Sequence, residues 1–380
     1  MPAGQAAIAA AAKRMRRRRF IFQRVVAPWH QKVYPGSPEA TRVAFCSSLL
    51  SPEWPMEVGP PYDPTHMADP TAVDRPLYRP YRWVSADFQL GLRPIRPDSW
   101  ILIGIDHAEI MRQKHDRLNR FRPYYYRTLP ESLPAQRELR DLVTTHLLND
   151  HPQSFQRMGS VVRSAITGQT LDLNDDSIEP LLQLSYMIEE DFMLLDEGGG
   201  IPRITAAANA YSTSGRLVAS VGRDMEWTHA PVPQLTQQLG AKIDRVIRSV
   251  HAARPCERFN WQLTPMASVF FPHSDPHGAN AAAMQHISAE LQRDPARVCE
   301  LLWIRVERQT LSRLPGSNAT AFSLHTYSDP LSSIRSDLDS LRAILALLRS
   351  YTEERWRYSE MDIVREPLMM WLEAATSTAE

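Results

Sequence analysis

Four polar side chains able to do chemistry crowd into the stretch Leu301 to Ser328, LLWIRVERQTLSRLPGSNATAFSLHTYS: Arg305, Glu307, Arg308 and Gln309. A guanidinium is a planar fork of donors that matches a carboxylate, and a carboxylate taken out of water demands a cation or donors around it. The apolar residues between them read as a strand, in which successive side chains alternate between faces. Arg305, Glu307 and Gln309 then share a face with Trp303, while Ile304, Val306 and Arg308 take the other. Arg305 and Glu307 are therefore expected in one cavity and Arg308 outside it, unless a bulge intervenes. The competing reading is an arginine, glutamate and arginine network that only braces a sheet.

Three other groups compete for attention. His229 lies in Trp227-Thr228-His229-Ala230-Pro231-Val232-Pro233, where the prolines stop a strand that begins at Met225 and present the imidazole from a stiffened element. His273-Ser274-Asp275-Pro276-His277 holds three possible metal ligands in five residues, a spacing that is not diagnostic and needs further ligands from elsewhere. Glu189, Glu190 and Asp191 offer an acidic docking face or substrate anchor, although such a run is ordinarily a solvated surface.

The elements that must position these groups follow from periodicity. Pro315-Gly316 separates two apolar runs and predicts a hairpin over Leu301 to Tyr327. Leu235, Leu239, Ile243, Val246, Ile247 and Val250 recur at helical spacing and predict a helix over Gln234 to Ala252; Leu338, Leu341, Leu345 and Leu348 predict a closing one. Helices are also expected over 106–120, 137–148 and 175–195. Strands are expected at 100–105, at Leu217, Ala219 and Val221, and from Arg258. Residues 272 to 296 read as an insertion. Hairpin-connected strands mixed irregularly with helices give an α+β fold with an antiparallel sheet.

With 380 residues and 43% hydrophobic content the chain can bury a sizeable core. Its 43 basic and 43 acidic residues cancel, which removes any global drive toward nucleic acid. Three cysteines without paired spacing favour neither a disulfide framework nor a cysteine metal site, and a reducing compartment is the simpler expectation. No apolar run is long enough for a membrane span. Residues 1–45 form a basic tail or targeting segment. The absence of acidic residues from its first 38 positions fits a mitochondrial presequence, and KRMRRRR fits nuclear import or a free tail. A cytoplasmic location is expected, with mitochondria as the alternative. Residues 46–99, dense in proline and interspersed with aromatics, read as a wrapping segment. One main domain spans 100–380.

The pieces LGLRPIRPDSWILIGIDHAEIMRQK, EEDFMLLDE, SGRLVASVGRDMEWTHAPVP, RFNW and LLWIRVERQTLSRLPGSNATAFSLHTY, in this order, make the chain resemble the haem-dependent oxidative N-demethylase alpha-subunit family, over roughly residues 80 to 360. The resemblance implies a PAS-like antiparallel sheet whose flanking helices enclose a haem b pocket. It implies oxidative removal of a methyl group from a small secondary or methylated amine, with O2 as oxidant and formaldehyde released. Electrons would come from NAD(P)H through a separate flavin and iron–sulfur reductase, since the chain shows no cluster-ligand cysteines or flavin fingerprint. On this basis His229 is expected as the axial iron ligand, with a satisfied buried histidine as the alternative. Arg305 and Arg308 are expected to bind propionates or polarise bound oxygen, Glu307 to accept a hydrogen bond from a protonated amine, and Trp227 and Trp261 to wall the pocket. The rival functions are a haem-binding PAS-type sensor without turnover, a haem-free interaction module, and a metal-dependent hydrolase at His273 and His277.

Overall fold

The alternating stretch around Arg305 folds, in this computed structural model, into two eleven-residue strands, β9 (Trp303–Arg313) and β10 (Thr320–Pro330), paired antiparallel from Trp303 opposite Pro330 to Arg313 opposite Thr320. The structure describes residues 78–83, 91–196, 198, 200–211, 216–230, 235–252, 254–270 and 276–377. The basic segment 1–45, most of the wrapping segment 46–99, Pro231 to Pro233 and His273 to Asp275 lie outside the described residues.

Five further strands extend the hairpin into a seven-stranded antiparallel sheet: β1 (Arg93–Pro94), β2 (Tyr126–Thr128), β6 (Asp191–Asp196), β7 (Arg203–Ala208) and β8 (Cys256–Thr264), in the order β1, β8, β9, β10, β6, β7, β2. A separate three-stranded sheet is built from β3 (Phe155–Met158), β4 (Val161–Ser164) and β5 (Thr170–Asp172). The architecture is α+β, with helices against both faces of the large sheet.

On the face that carries Val306, Phe259, Leu263, Ile304 and Tyr327 pack with Leu341, Ile344 and Leu348 of the Leu338–Arg349 helix and with Leu368 and Leu372 of the Arg365–Ser377 helix. Further along this face, Phe192, Leu194 and Ala206 meet Leu139 and Val143 of the Leu133–Asp150 helix. The face that carries Glu307 is covered at one end by the Leu235–Ser249 helix, whose Ile243 and Ile247 pack on Met193, Ala207, Leu311 and Phe322. At its other end Leu324 packs with Ile110, Tyr211, Val269 and Phe270. Each buried Leu, Ile or Phe of these layers contributes about 1.5–3 kcal/mol of transfer free energy. The hairpin tip is tied to the sheet's flank: the Gly316 and Ser317 amides both donate to the Glu138 carboxylate on the Leu133–Asp150 helix, at 2.6 Å for Ser317.

Several sequence expectations are corrected. The helix expected over 175–195 is instead a turn, a short Pro180–Ser185 helix and β6. β6 is covered on both faces, so Phe192 to Leu195 form an unbroken apolar run without the alternation that marks a half-buried strand. Leu217 and Ala219 lie in a helical turn, Arg216–Ala219. His229 ends a short helix, Met225–His229, and not a strand. Residues 100–105 join no strand; side chains take backbone groups there, with Ile101 N bonding His146 Nε2 at 3.3 Å and Leu102 N donating to Glu190 Oε1 at 2.9 Å. The supposed insertion contains an 18-residue helix, Pro276–Arg293, whose Met284, Ile287 and Leu291 enter the core at helical spacing.

Candidate functional site

His229 is positioned from the sequence immediately before it. Asp224 caps its short helix, with Oδ1 accepting from the Trp227 amide at 2.8 Å. Asp224 also bridges to Arg203 on β7, and Met225 packs into the cluster around Leu311 and Phe322. The helix is thereby seated on the Glu307 face of the sheet. His229 is half-buried, and its Nδ1 lies 2.9 Å from the Met225 carbonyl oxygen. A carbonyl only accepts, so Nδ1 carries a proton, and the hydrogen bond fixes the orientation of the ring. Trp227 lies on the same helix, with the Arg223 guanidinium 5.8 Å from its ring centre.

Between the two apolar ends of that sheet face runs a polar strip. Register places Arg258 opposite Gln309, Asn260 opposite Glu307, and Gln262 opposite Arg305, all on one face. Glu307 is half-buried; its Oε2 accepts from Gln309 at 3.2 Å and Asn260 at 3.4 Å, and its Oε1 lies 3.7 Å from Arg305 Nε. Arg305 is buried and donates to the carbonyls of Val269 at 2.8 Å and Tyr211 at 3.1 Å. Arg258 is half-buried, and its Nε is shut off from solvent with no hydrogen-bond partner. The strip thus combines a carboxylate held by amides with a guanidinium that nothing matches.

Arg308 points to the other face, as alternation requires. It donates to Glu257 at 2.7 Å and to the backbone oxygens of Trp100 and Ser99, and Glu257 also accepts from Arg93 at 2.9 Å. An arginine, glutamate and arginine brace does exist, built on Glu257 rather than Glu307. Trp261 also lies on the Val306 face, edge-on to Tyr81 with ring centres 5.2 Å apart. Arg305, Glu307, Trp227 and His229 therefore belong to one side of the sheet, and Arg308 and Trp261 to the other.

A buried ionic cluster was hidden in the sequence. Glu189, Glu190 and Asp191, which read as a solvated run, are no more than 2% exposed. Lys114 bonds Asp191 at 2.9 Å and the carbonyls of residues 188 to 190. His325 reaches Glu189 and Glu190, each at 3.2 Å, and His107 Nδ1 lies 2.7 Å from Glu189. Burial alone would strip the proton from His325, but the Glu190 and Glu189 carboxylates outweigh it and push the pKa up to about 10. Burial likewise acts against ionised Glu189 and Glu190, yet the His325 charge holds both below the usual carboxylate range.

Among the described residues no group of three or more His, Cys, Asp and Glu side chains is arranged to hold a metal ion, and no helix is long and apolar enough to cross a membrane. A pocket of about 290 Å³ lined by Arg122, Tyr126, Ile178, Glu179 and Tyr186 contains no side chain of the strip or of the His229 helix. No histidine lines it. A family model described as haem-dependent oxidative N-demethylase, alpha subunit-like, matches residues 91–369. The match takes in the whole large sheet, the His229 helix and the polar strip. The chain belongs to the haem-dependent oxidative N-demethylase, alpha subunit-like family.

Proposed function

We propose that the chain binds haem b with His229 as axial ligand, on the Glu307 face of a PAS-like sheet, and serves oxidative N-demethylation of a small secondary or methylated amine. The observation that carries this reading is one sheet face bearing both an imidazole oriented through Nδ1 by a backbone carbonyl and a polar strip between two apolar ends. Both features fit haem, whose iron takes a neutral imidazole and whose edge carries carboxylates over an apolar macrocycle. Trp227 would wall the pocket from the ligand's own helix.

When bound, haem supplies the iron at which molecular oxygen is activated, while the protein supplies orientation and electrostatics. Glu307 accepts the N–H of the amine, a cation at neutral pH, and so turns its methyl group toward the reacting centre. Gln309 and Asn260 hold that carboxylate in place, and Arg305, fixed by two backbone carbonyls, sets the floor beneath it. Arg308 and Trp261 act from the opposite face, keeping β8 and β9 in register. In the balanced reaction one oxygen atom of O2 leaves in formaldehyde and the other in water, with a pair of electrons and a pair of protons supplied from outside. Those electrons come from NAD(P)H through a separate flavin and iron–sulfur reductase subunit, since three cysteines cannot ligate a four-cysteine cluster here.

Haem titrated into the full chain should give a Soret band that is lost or shifted in His229→Ala. With reductase, NAD(P)H and secondary amines, the loaded protein should release formaldehyde. No band with the wild-type chain rejects the haem reading; a band without formaldehyde from any amine reduces the protein to a haem-binding sensor.

A further inference from the structure

The paired strands β8 and β9 carry four arginines, and three of them have hydrogen-bond partners, although Arg305 Nε itself has none. Arg305 and Arg308 have the carbonyl and carboxylate partners given above. Arg313 donates to the carbonyls of Ile247 at 2.7 Å, Arg248 at 3.0 Å, Val250 at 3.2 Å and Asn318 at 2.9 Å. Arg258 is the exception: no hydrogen bond or ion pair engages it among the described residues, and its Nε is closed to solvent. Glu307, the acidic side chain that shares its face, already accepts from Asn260 and Gln309 and faces Arg305.

A guanidinium in such a place costs stability, because its Nε–H has left water without gaining an acceptor. Burial accordingly draws its pKa below that of an ordinary arginine, with Glu307 offsetting only part of the effect. Arginine does not escape the cost by losing its proton. The chemistry that relieves it is a planar anion able to accept from a fork, and the amine substrate, being a cation, has the wrong sign.

We propose that Arg258 is the anion-binding residue of this site and takes a propionate carboxylate of haem, leaving Glu307 on the same face to the cationic amine. This assignment rests on the haem reading above. It divides the strip by charge: the Arg258 and Gln309 pair receives the acidic edge of the cofactor, and the Asn260 and Glu307 pair receives the substrate. It also explains why β8 carries an arginine at a position where an apolar residue would make a more stable sheet.

The test is a Soret titration of the wild-type, Arg258→Met and Arg258→Lys chains, each with haem and with haem whose propionates are esterified. Arg258→Met should weaken haem binding roughly tenfold to a hundredfold, as loss of a charged hydrogen bond does, and Arg258→Lys by less. The esterified haem should bind wild type and Arg258→Met alike. The haem-free Arg258→Met chain should be as resistant to urea as wild type, or more so. An equal loss of affinity for haem and its ester, or a less stable haem-free Arg258→Met chain, overturns the assignment in favour of a structural arginine. Wild-type binding with an unchanged Arg258→Met titration overturns the assignment alone, whereas failure of the wild-type chain to bind haem overturns it together with the haem reading.

Discussion

Where β6 meets β10, Glu189, Glu190 and Asp191 face Lys114, His107 and His325, and none of the six is more than 3% exposed. On β8, two strands from β10, Arg258 has no hydrogen-bond partner among the described residues, and Glu307 beside it remains partly open to solvent. In the first group every ion has a fixed partner, so it needs nothing from outside. The second keeps its charges apart: the arginine stays unmatched and the carboxylate is held by amides. Ionic groups that close on themselves hold a fold together, and groups left uncompensated on a sheet face are suited to receive a ligand. Both lie on one sheet, and Arg305 joins them, since it touches Tyr211 and Val269 on one side and Glu307 on the other.

The contrast breaks most directly at Lys114. Lys114→Met leaves Asp191 and three carbonyls without their cation and should cost about 3–5 kcal/mol in urea unfolding, the usual penalty for stranding one half of a buried ion pair. A loss under about 1 kcal/mol would mean that the cluster is not what closes this region.

The pH dependence of stability sharpens the same comparison. His325 has its folded pKa raised, so its contribution is fully present below the ordinary value of 6.5 and is lost as pH climbs toward about 10. Glu189 and Glu190 have theirs depressed, so their contribution is complete above the ordinary 4.5 and is lost as pH falls through the lower folded values. Unfolding free energy from these groups should therefore be flat between pH 4.5 and 6.5 and decline on both sides. His325→Gln should be less stable at pH 6 and should lack the alkaline decline. A decline that persists unchanged would assign it to other groups.

The smallest effect on stability is expected in the open strip. Glu307→Gln keeps the shape and hydrogen-bonding reach of the side chain and should change unfolding free energy by no more than about 0.5 kcal/mol. In the loaded enzyme its KM for the amine should rise roughly tenfold as the charged acceptor is lost. A large stability loss with unchanged KM would make Glu307 a brace like Glu257.

The helices at 235–249 and 338–349 each present one apolar face, so their periods survive in the sequence. The Leu301 to Tyr327 hairpin, buried on both faces, was legible from the Pro315-Gly316 break between its two apolar runs. The opposite facing of Arg305 and Arg308 followed from strand alternation. β6 was missed because it is buried on both faces, and the short strand at 203–208 because ITAAA is too small and uniform to show alternation. The ionic cluster was illegible for another reason: its partners are far apart in the chain, 135 residues in the case of His325 and Glu190, and no local pattern reports a pairing made only by the fold. Arg258 was passed over because an arginine in RFNW looks like any strand charge until its lack of a partner is seen.

The contact between Glu138 and the hairpin tip bears on exchange with solvent. Gly316 and Ser317 sit on a turn at the rim of the molecule, yet both amides are held by one carboxylate, and a Cβ at position 316 would come within 3.0 Å of it. Burial disfavours the Glu138 charge more than any one contact favours it, but the Ser317 hydroxyl and the two amides together outweigh it and hold its pKa below the ordinary value. The tip should therefore exchange its amide hydrogens with deuterium as slowly as interior backbone does, and begin to exchange freely only once acid protonates Glu138.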